Sequence, residues 1–255
     1  MEEQHAKHIM YRKEFAELYD AEYADFKEDI LFWKKIIAGK KILEIGIGTG
    51  RIAIPLAKAG YQIVGVERSL DMLKILQRKI AEQKIKTIRA VQGDMRNYDL
   101  QEKFDFAFIP FHLFHEALTH RDQERTLLCA RQHLKKSGKL GVDLFHFHYD
   151  QLEHPDLLRW DKVFNDPNTG ELWYRFVSNR VDLQAQTIHY LLRYEYTGTP
   201  LKVLYCEVAF HYFMPFEILH LIEKCGFSII TIFGDYQGRA FTTQSQKMII
   251  LAQRV

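Results

Sequence analysis

Of the chain's 255 residues, 47% are hydrophobic, enough to bury the core of one full-sized domain, and 35 Lys and Arg nearly cancel 33 Asp and Glu. No run approaches the roughly 18 consecutive apolar residues of a membrane span, and Met1-Glu2-Glu3-Gln4-His5 does not read as a signal peptide. Near-neutral charge supplies no global field toward nucleic acid. The three scattered cysteines, Cys129, Cys206 and Cys225, form neither a disulfide framework nor a paired zinc knuckle, so a cytoplasmic location is expected.

Taken in order, the first segment reads as helical. Phe15, Leu18, Tyr19, Tyr23, Phe26, Ile30, Trp33 and Ile37 recur at three- and four-residue steps, and Gly39 is a stop. Lys41–Ile45 then reads as a buried strand, Arg51–Lys58 as a helix and Tyr61–Val66 as a second strand. Leu70–Lys84 is a helix with Met72, Leu73, Leu76 and Ile80 inward. Thr87–Val91 and Phe104–Ile109 are strands, Gln123–Leu134 a helix, and Lys139–Phe145 a fifth strand after the Ser137-Gly138 turn. Strands separated by helical stretches demand a mostly parallel sheet with helices on both faces.

Beyond Asp150 the period changes from 3.6 to 2. Ile188, Tyr190, Leu192, Tyr194 and Tyr196 alternate with their neighbours, as do Leu204, Cys206, Val208, Phe210 and Tyr212. Asp166-Pro167-Asn168-Thr169-Gly170 and Gly198-Thr199-Pro200 supply turn chemistry. This predicts an antiparallel insertion. Pro215–Cys225 then reads as a helix, and Phe227–Phe233 and Lys247–Gln253 as the last strands.

The chemistry centres on Glu44-Ile45-Gly46-Ile47-Gly48-Thr49-Gly50. Glycines let a backbone turn sharply and approach a ligand where a Cβ would collide. The spacing is GxGxG, not the GxGxxG that cradles a dinucleotide pyrophosphate. Glu44, at the end of the first strand, repels a pyrophosphate and favours an ammonium group. Glu67 ends the second strand, where a carboxylate accepts from ribose hydroxyls in doubly wound folds. Asp94 follows the third. Three acids at three successive strand ends suit a ligand with adenosine at one end and a cation at the other, which describes S-adenosylmethionine.

The segments LEIGIGTG, VGVERSLDML and QGDMR, in this order and spacing, resemble the class I S-adenosylmethionine-dependent methyltransferases, of the small-molecule type that includes amino-sugar N-methyltransferases. The resemblance covers residues 41–146 and extends more loosely to the end. It implies a Rossmann-like α/β fold with an N-terminal helical cap and an antiparallel β insertion after strand five. With no internal repeat, low-complexity tract or Pro-rich linker, the chain reads as one domain over 1–255, divided into cap (1–40), cofactor-binding core (41–150), insertion (151–213) and completion of the core sheet (214–255). By the same resemblance Glu44, Gly46, Gly48 and Gly50 would line the methionine moiety and Glu67 would bind the ribose diol. Met72 would pack on the adenine, Asp94 would accept from the adenine amino group with Met95 beside it, and Phe111 would pass next to the methyl donor.

Tyr19-Asp20-Ala21-Glu22-Tyr23 resembles the YDxxY segment that small-molecule members fold over the cofactor, which makes Tyr19 a cofactor contact and Tyr23 a catalytic candidate. His112 follows strand four where relatives usually carry Asn or Ser. It is a second catalytic candidate, as a base or in tuning the substrate, with His115, His146 and His148 near the same edge. The spacings His112-x-x-His115 and His146-x-His148 find no Cys or acidic cluster to complete a zinc site, so no metal is expected. The tyrosine-rich insertion (Tyr190, Tyr194, Tyr196, Tyr205, Tyr212) resembles an acceptor-pocket flap, and its alternation would serve a homodimer interface equally well. The expected reaction is in-line methyl transfer to a nitrogen or oxygen of a small molecule. A nucleic-acid methyltransferase lacks its basic groove here, and a nicotinamide dehydrogenase is disfavoured by Glu44. A non-catalytic S-adenosylmethionine-binding protein would carry the same motifs.

Overall fold

The computed structural model describes residues 13–255; residues 1–12 of the expected cap lie outside them. In chain order the strands are β1 (Lys41–Ile45), β2 (Gln62–Glu67), β3 (Ile88–Gln92), β4 (Phe104–Ile109), β5 (Leu134–Phe145), β6 (Arg159–Asn165), β7 (Leu172–Asp182), β8 (Thr187–Tyr196), β9 (Lys202–His211), β10 (Phe227–Phe233) and β11 (Lys247–Arg254). The helices are α1 (Lys13–Glu22), α2 (Glu28–Ile36), α3 (Ala53–Lys58), α4 (Leu70–Glu82), α5 (His120–Gln132) and α6 (Pro215–Lys224). The chain divides into two compact units. One holds Phe26–Phe147 and His211–Val255, and the other holds His148–Phe210 with residues 13–25.

The first unit is a seven-stranded sheet in the order β10-β11-β5-β4-β1-β2-β3. β3, β2, β1, β4 and β5 run parallel, and β11 is antiparallel to both of its neighbours. Alternation along each strand feeds two cores, as a sheet buried on both faces requires. Leu43, Ile45, Val64, Val66, Ile109, Val142 and Leu144 pack with Leu127 and Ala130 of α5 and Ile218 and Ile222 of α6. Ile42, Ile63, Phe106, Phe108 and Ile249 pack with Phe32 and Trp33 of α2, Leu56 of α3 and Leu76 of α4. Since the parallel strands share a direction, their carboxyl ends lie along one edge, and the ligand crevice of such sheets forms there.

Two elements differ from the sequence reading. The continuous first helix is broken at residues 23–27. The Phe26 carbonyl accepts from Arg51 Nη1 (3.2 Å), and the Ile30 N–H, which would continue the helical ladder to it, donates to Asp29 Oδ1 instead (2.8 Å). β5 begins at Leu134 because the Ser137-Gly138 turn is absorbed as an irregularity within the strand, with Ser137 at φ 59° and Leu134 already paired to Phe104.

The second unit is a four-stranded sheet ordered β6-β7-β8-β9, including two strands that the alternation of β8 and β9 did not reveal. Phe15 and Leu18 of α1 pack with Trp173, Tyr194 and Cys206. The buried Glu22 carboxylate accepts from Arg175, from Lys162 Nζ (2.9 Å) and from the Tyr194 hydroxyl (2.9 Å), so its charge is matched where water is excluded. No helix among the described residues is long and apolar enough to cross a membrane.

Candidate active site

The glycine turn joins β1 to α3 and is laced to β2: the N–H groups of Gly46 and Ile47 both donate to the Val66 carbonyl (2.8 and 3.1 Å). Gly46, Gly48 and Gly50 all have positive φ, at 83°, 54° and 81°, but they do different work. A Cβ on Gly46 would lie 2.3 Å from Leu113 Cδ2, and one on Gly50 would lie 2.5 Å from Leu76 Cδ1. Those two glycines let neighbouring side chains close onto the backbone. A Cβ on Gly48 would meet nothing within 4 Å, so only this residue presents its open face.

Glu44 is 2% exposed, and its Oε2 has no hydrogen-bond partner. Burial raises its pKa well above the ordinary carboxylate value, opposed by the nearby Arg51 charge. Arg51 does not neutralise it, because both of its Nη atoms pair with the buried Asp29 carboxylate (Nη1–Oδ1 3.0 Å, Nη2–Oδ2 2.5 Å). At the next strand end, Glu67 accepts from the backbone N–H of Ser69 (Oε1, 2.7 Å) and of Gly48 (Oε2, 3.1 Å), binding the end of β2 to the open glycine. Burial pushes its pKa up while those N–H groups pull it down. Ser69 caps α4 by accepting from the Met72 N–H (3.3 Å), which sets the buried Met72 in the first turn beside Glu67.

Asp94 follows β3 as expected, but its carboxylate is engaged. Oδ1 accepts from the N–H and Nε of Arg96 (2.9 and 2.8 Å) and Oδ2 accepts from Nη2 (2.7 Å), which holds its pKa below the usual range. Met95 is half-buried against the core on the α5 side of the sheet.

β4 leads into the most unusual backbone of the unit, with Phe111 and His112 both left-handed at φ 53° and 66°. The Phe111 N–H donates to Asp143 Oδ2 (3.1 Å), and the Tyr236 hydroxyl donates to the same oxygen (2.5 Å). Lys247 Nζ lies 3.3 Å from Asp143 Oδ1, 3.2 Å from His112 Nε2 and 4.4 Å from the Tyr236 ring centroid. Burial pushes the Asp143 carboxyl up, but Lys247 and its other partners outweigh burial and hold it below the ordinary value. His112 is pushed down to about 3, first by burial and then by Lys247. An ammonium beside Nε2 leaves His112 a poor proton acceptor.

His115 Nδ1 donates to the His211 carbonyl (2.6 Å), its Nε2 accepts from the Phe145 N–H (3.1 Å), and its ring stacks on Phe145 at 3.8 Å. It is a packed histidine. His146 Nδ1 bonds the Ser245 carbonyl (2.9 Å). Among the described residues no group of three His, Cys, Asp or Glu is placed to hold a metal ion. Tyr19 and Tyr23 belong to the other unit, with ring centroids 5.0 Å apart. The Tyr23 hydroxyl accepts from Arg175 Nη1 (3.2 Å), Lys162 Nζ sits 4.2 Å from its ring centroid, and burial raises its pKa well above 10.0, so it stays a neutral phenol.

The stretch from β1 to the end of the β5 turn, residues 42–138, matches the methyltransferase domain family. The chain carries a methyltransferase domain. It is a methyltransferase with the class I, Rossmann-like fold. Among curated proteins, the methyltransferase is 24% identical over 221 residues to the cypemycin N-terminal methyltransferase of a Streptomyces species, covering 85% of this chain and 84% of that one. Its fold is shared with the CcbJ methyltransferase of Streptomyces caelestis (TM-score 0.77, 22% identity, 92% of this chain and 96% of that one). CalS10, an amino pentose methyltransferase of Micromonospora echinaspora solved with S-adenosylmethionine bound, shares it too (TM-score 0.71, 16% identity, 93% and 97%).

The residues fit such a cofactor. A buried carboxylate oxygen without a donor at Glu44 suits an ammonium group. The open face of Gly48 admits close approach, and Glu67 retains acceptor capacity beyond the backbone N–H groups of Ser69, Gly48 and Arg68. Five charged or polar residues of this methyltransferase's sheet edge escaped the sequence reading: Asp29, Arg51, Asp143, Tyr236 and Lys247. Asp143 left a faint signal, an acid inside the apolar run Val142–Leu144, and Asp29 sat on a helix face otherwise apolar. The others are surface-like residues in sequence, and only the strand order brings them together.

Proposed function

We propose that this enzyme transfers a methyl group by in-line displacement to a nitrogen, or less readily an oxygen, of a small molecule. The observation that carries the site is the unpartnered Glu44 oxygen at the carboxyl end of β1, on the strand that runs into the turn of the open Gly48. S-adenosylmethionine supplies a methyl carried on a sulfonium when bound. In this reading Glu44 and the turn of Gly46, Gly48 and Gly50 receive its methionine end, and Glu67 accepts from the ribose hydroxyls. Met72, Asp94 and Met95 border the adenine, and Phe111 lies toward the methyl. Tyr19 and Tyr23 contribute to cofactor and acceptor binding, Tyr23 as a neutral hydroxyl. Nitrogen is favoured because the cypemycin and CalS10 enzymes act on an N-terminus and an amino pentose by their names. A neutral amine needs no enzymatic base, which accords with the lowered pKa of His112.

We further read the 255 residues as one working domain acting in the cytoplasm, as a monomer or homodimer, without nucleic acid; its net charge of +2 and three free cysteines support this. Titration calorimetry of S-adenosylhomocysteine is the test, with Glu67→Ala beside the native protein. Loss of a charged acceptor predicts weakening by about 1.5–3 kcal/mol. S-adenosylhomocysteine release over a panel of amino sugars and peptide N-termini then identifies the acceptor. Absence of binding by folded native protein would refute the assignment of the site.

A further inference from the structure

His112 and His115 share one turn, yet they are held in opposite ways. His115 has both ring nitrogens bonded to backbone. His112 is held from one side only: Lys247 Nζ lies 3.2 Å from Nε2, while Nδ1 is shielded from solvent and has no hydrogen-bond partner. An ammonium carries donors and no acceptor. Nε2 must therefore present its lone pair, and the ring proton must sit on Nδ1. That leaves a sequestered N–H without an acceptor, an arrangement that folded proteins avoid unless something else completes it.

The turn lies against the glycine loop. Leu113, the next residue, packs where a Gly46 side chain would be, and the Arg51 guanidinium lies 4.8 Å from the Phe111 ring centroid. The two left-handed residues are held by Asp143, which takes the Phe111 N–H and also faces Lys247. Asp143 and Lys247 come from neighbouring strands, β5 and β11, whose register sets Lys247 opposite Phe145. A rigid sheet thus fixes a strained turn, as expected where pre-organisation serves a ligand.

We propose that His112 donates a hydrogen bond from Nδ1 to an oxygen of the bound ligand, and that Lys247, anchored on Asp143, is the positioning residue that fixes the imidazole in this tautomer. The proposal rests on the reading of this sheet edge as the methyl-transfer site. Two ligand oxygens share the required chemistry, the carboxylate of the methyl donor and an oxygen of the methyl acceptor.

The tautomer is read without any ligand. Full-length ¹⁵N-labelled protein at pH 7 is analysed by long-range ¹H–¹⁵N correlation of its imidazoles, as native protein and as Lys247→Met. The native protein is expected to show His112 protonated at Nδ1. In Lys247→Met most of the His112 population is expected to carry its proton on Nε2, with His115 unchanged as the internal control of fold. An Nε2–H tautomer in the native protein, or no change in Lys247→Met, overturns the positioning role even if S-adenosylhomocysteine binds. S-adenosylhomocysteine is then titrated into native protein, His112→Asn and His112→Leu. Asn keeps an N–H near the Nδ1 position and Leu removes it. At least tenfold weaker binding for Leu, with Asn within threefold of native, assigns the methyl donor's carboxylate. Equal affinities move the assignment to the acceptor, where Leu must raise the KM of the amine returned by the panel at least tenfold and Asn must restore it. His112→Leu equal to native in both affinity and KM overturns the donor role.

Discussion

Gly48 and Gly60 form a matched pair that tests where the cofactor lies. Both have positive φ, 54° and 90°, and a Cβ on either would meet nothing within 4 Å. Gly60 sits in the turn between α3 and β2, away from the strand ends that carry Glu44 and Glu67. Alanine at either position incurs the left-handed penalty of about 1–2 kcal/mol and no steric cost within the protein. Urea unfolding followed by circular dichroism should therefore show similar losses for the two variants. Affinity for S-adenosylhomocysteine should separate them. A methyl at residue 48 enters the open face that Glu67 borders through its bond to the Gly48 N–H. An overpacked methyl costs about 1–3 kcal/mol, a weakening of roughly 5- to 150-fold. Gly60→Ala should bind like native protein. Equal affinities for the two alanine variants, at equal stability, would refute the placement of the ligand over the glycine turn.

On the proposed placement of the ligand ammonium at Glu44, cofactor binding is pH-dependent with a definite sign. Burial raises its folded pKa above the ordinary 4.5, so within the window from 4.5 up to the raised value the buried group holds a proton that the unfolded chain releases. Its contribution to stability is thus present below that window and is lost as pH rises through it. A ligand ammonium favours the carboxylate, so S-adenosylhomocysteine binding in this window releases a proton and tightens as pH rises. Calorimetry in buffers of different ionisation enthalpy should detect the release, and Glu44→Gln should abolish it; identical proton release in the mutant would exclude Glu44 as the source. Asp29→Ala should cost about 3–5 kcal/mol in urea unfolding, because it strands the largely buried Arg51 guanidinium. Most of that loss should return in Asp29→Leu with Arg51→Met; a single-mutant loss under about 1 kcal/mol would show the pair to be as weak as a surface one.

Much of the first unit was legible because its signals are local. A buried parallel strand must be an apolar run, as Leu43 to Ile45 is, and a turn that closes onto its own backbone must carry glycine, as at Gly46 and Gly50. The acids at three strand ends were legible for a related reason: strand direction alone puts Glu44, Glu67 and Asp94 on one edge. The break between α1 and α2 was not legible, since apolar spacing continues through Phe26 and only the distant Arg51 takes its carbonyl. β6 and β7 also escaped, because β6 carries polar residues such as Asp161 and Lys162 whose partners, Arg175 and Glu22, lie on other elements.

The sequence by itself thus determined the fold class and the glycine turn, set by periodicity and by residues within a few positions of one another, and the row of acids at three strand ends, set by strand direction. Only the tertiary structure decided what each candidate side chain does there. It occupied Asp94 with Arg96, left one oxygen of Glu44 without a donor, and placed the ammonium of Lys247 against His112, 135 residues away. The physical reason is that a hydrogen-bond partner is chosen by distance in space, and β11 folds back beside β5 through a register that no local propensity encodes.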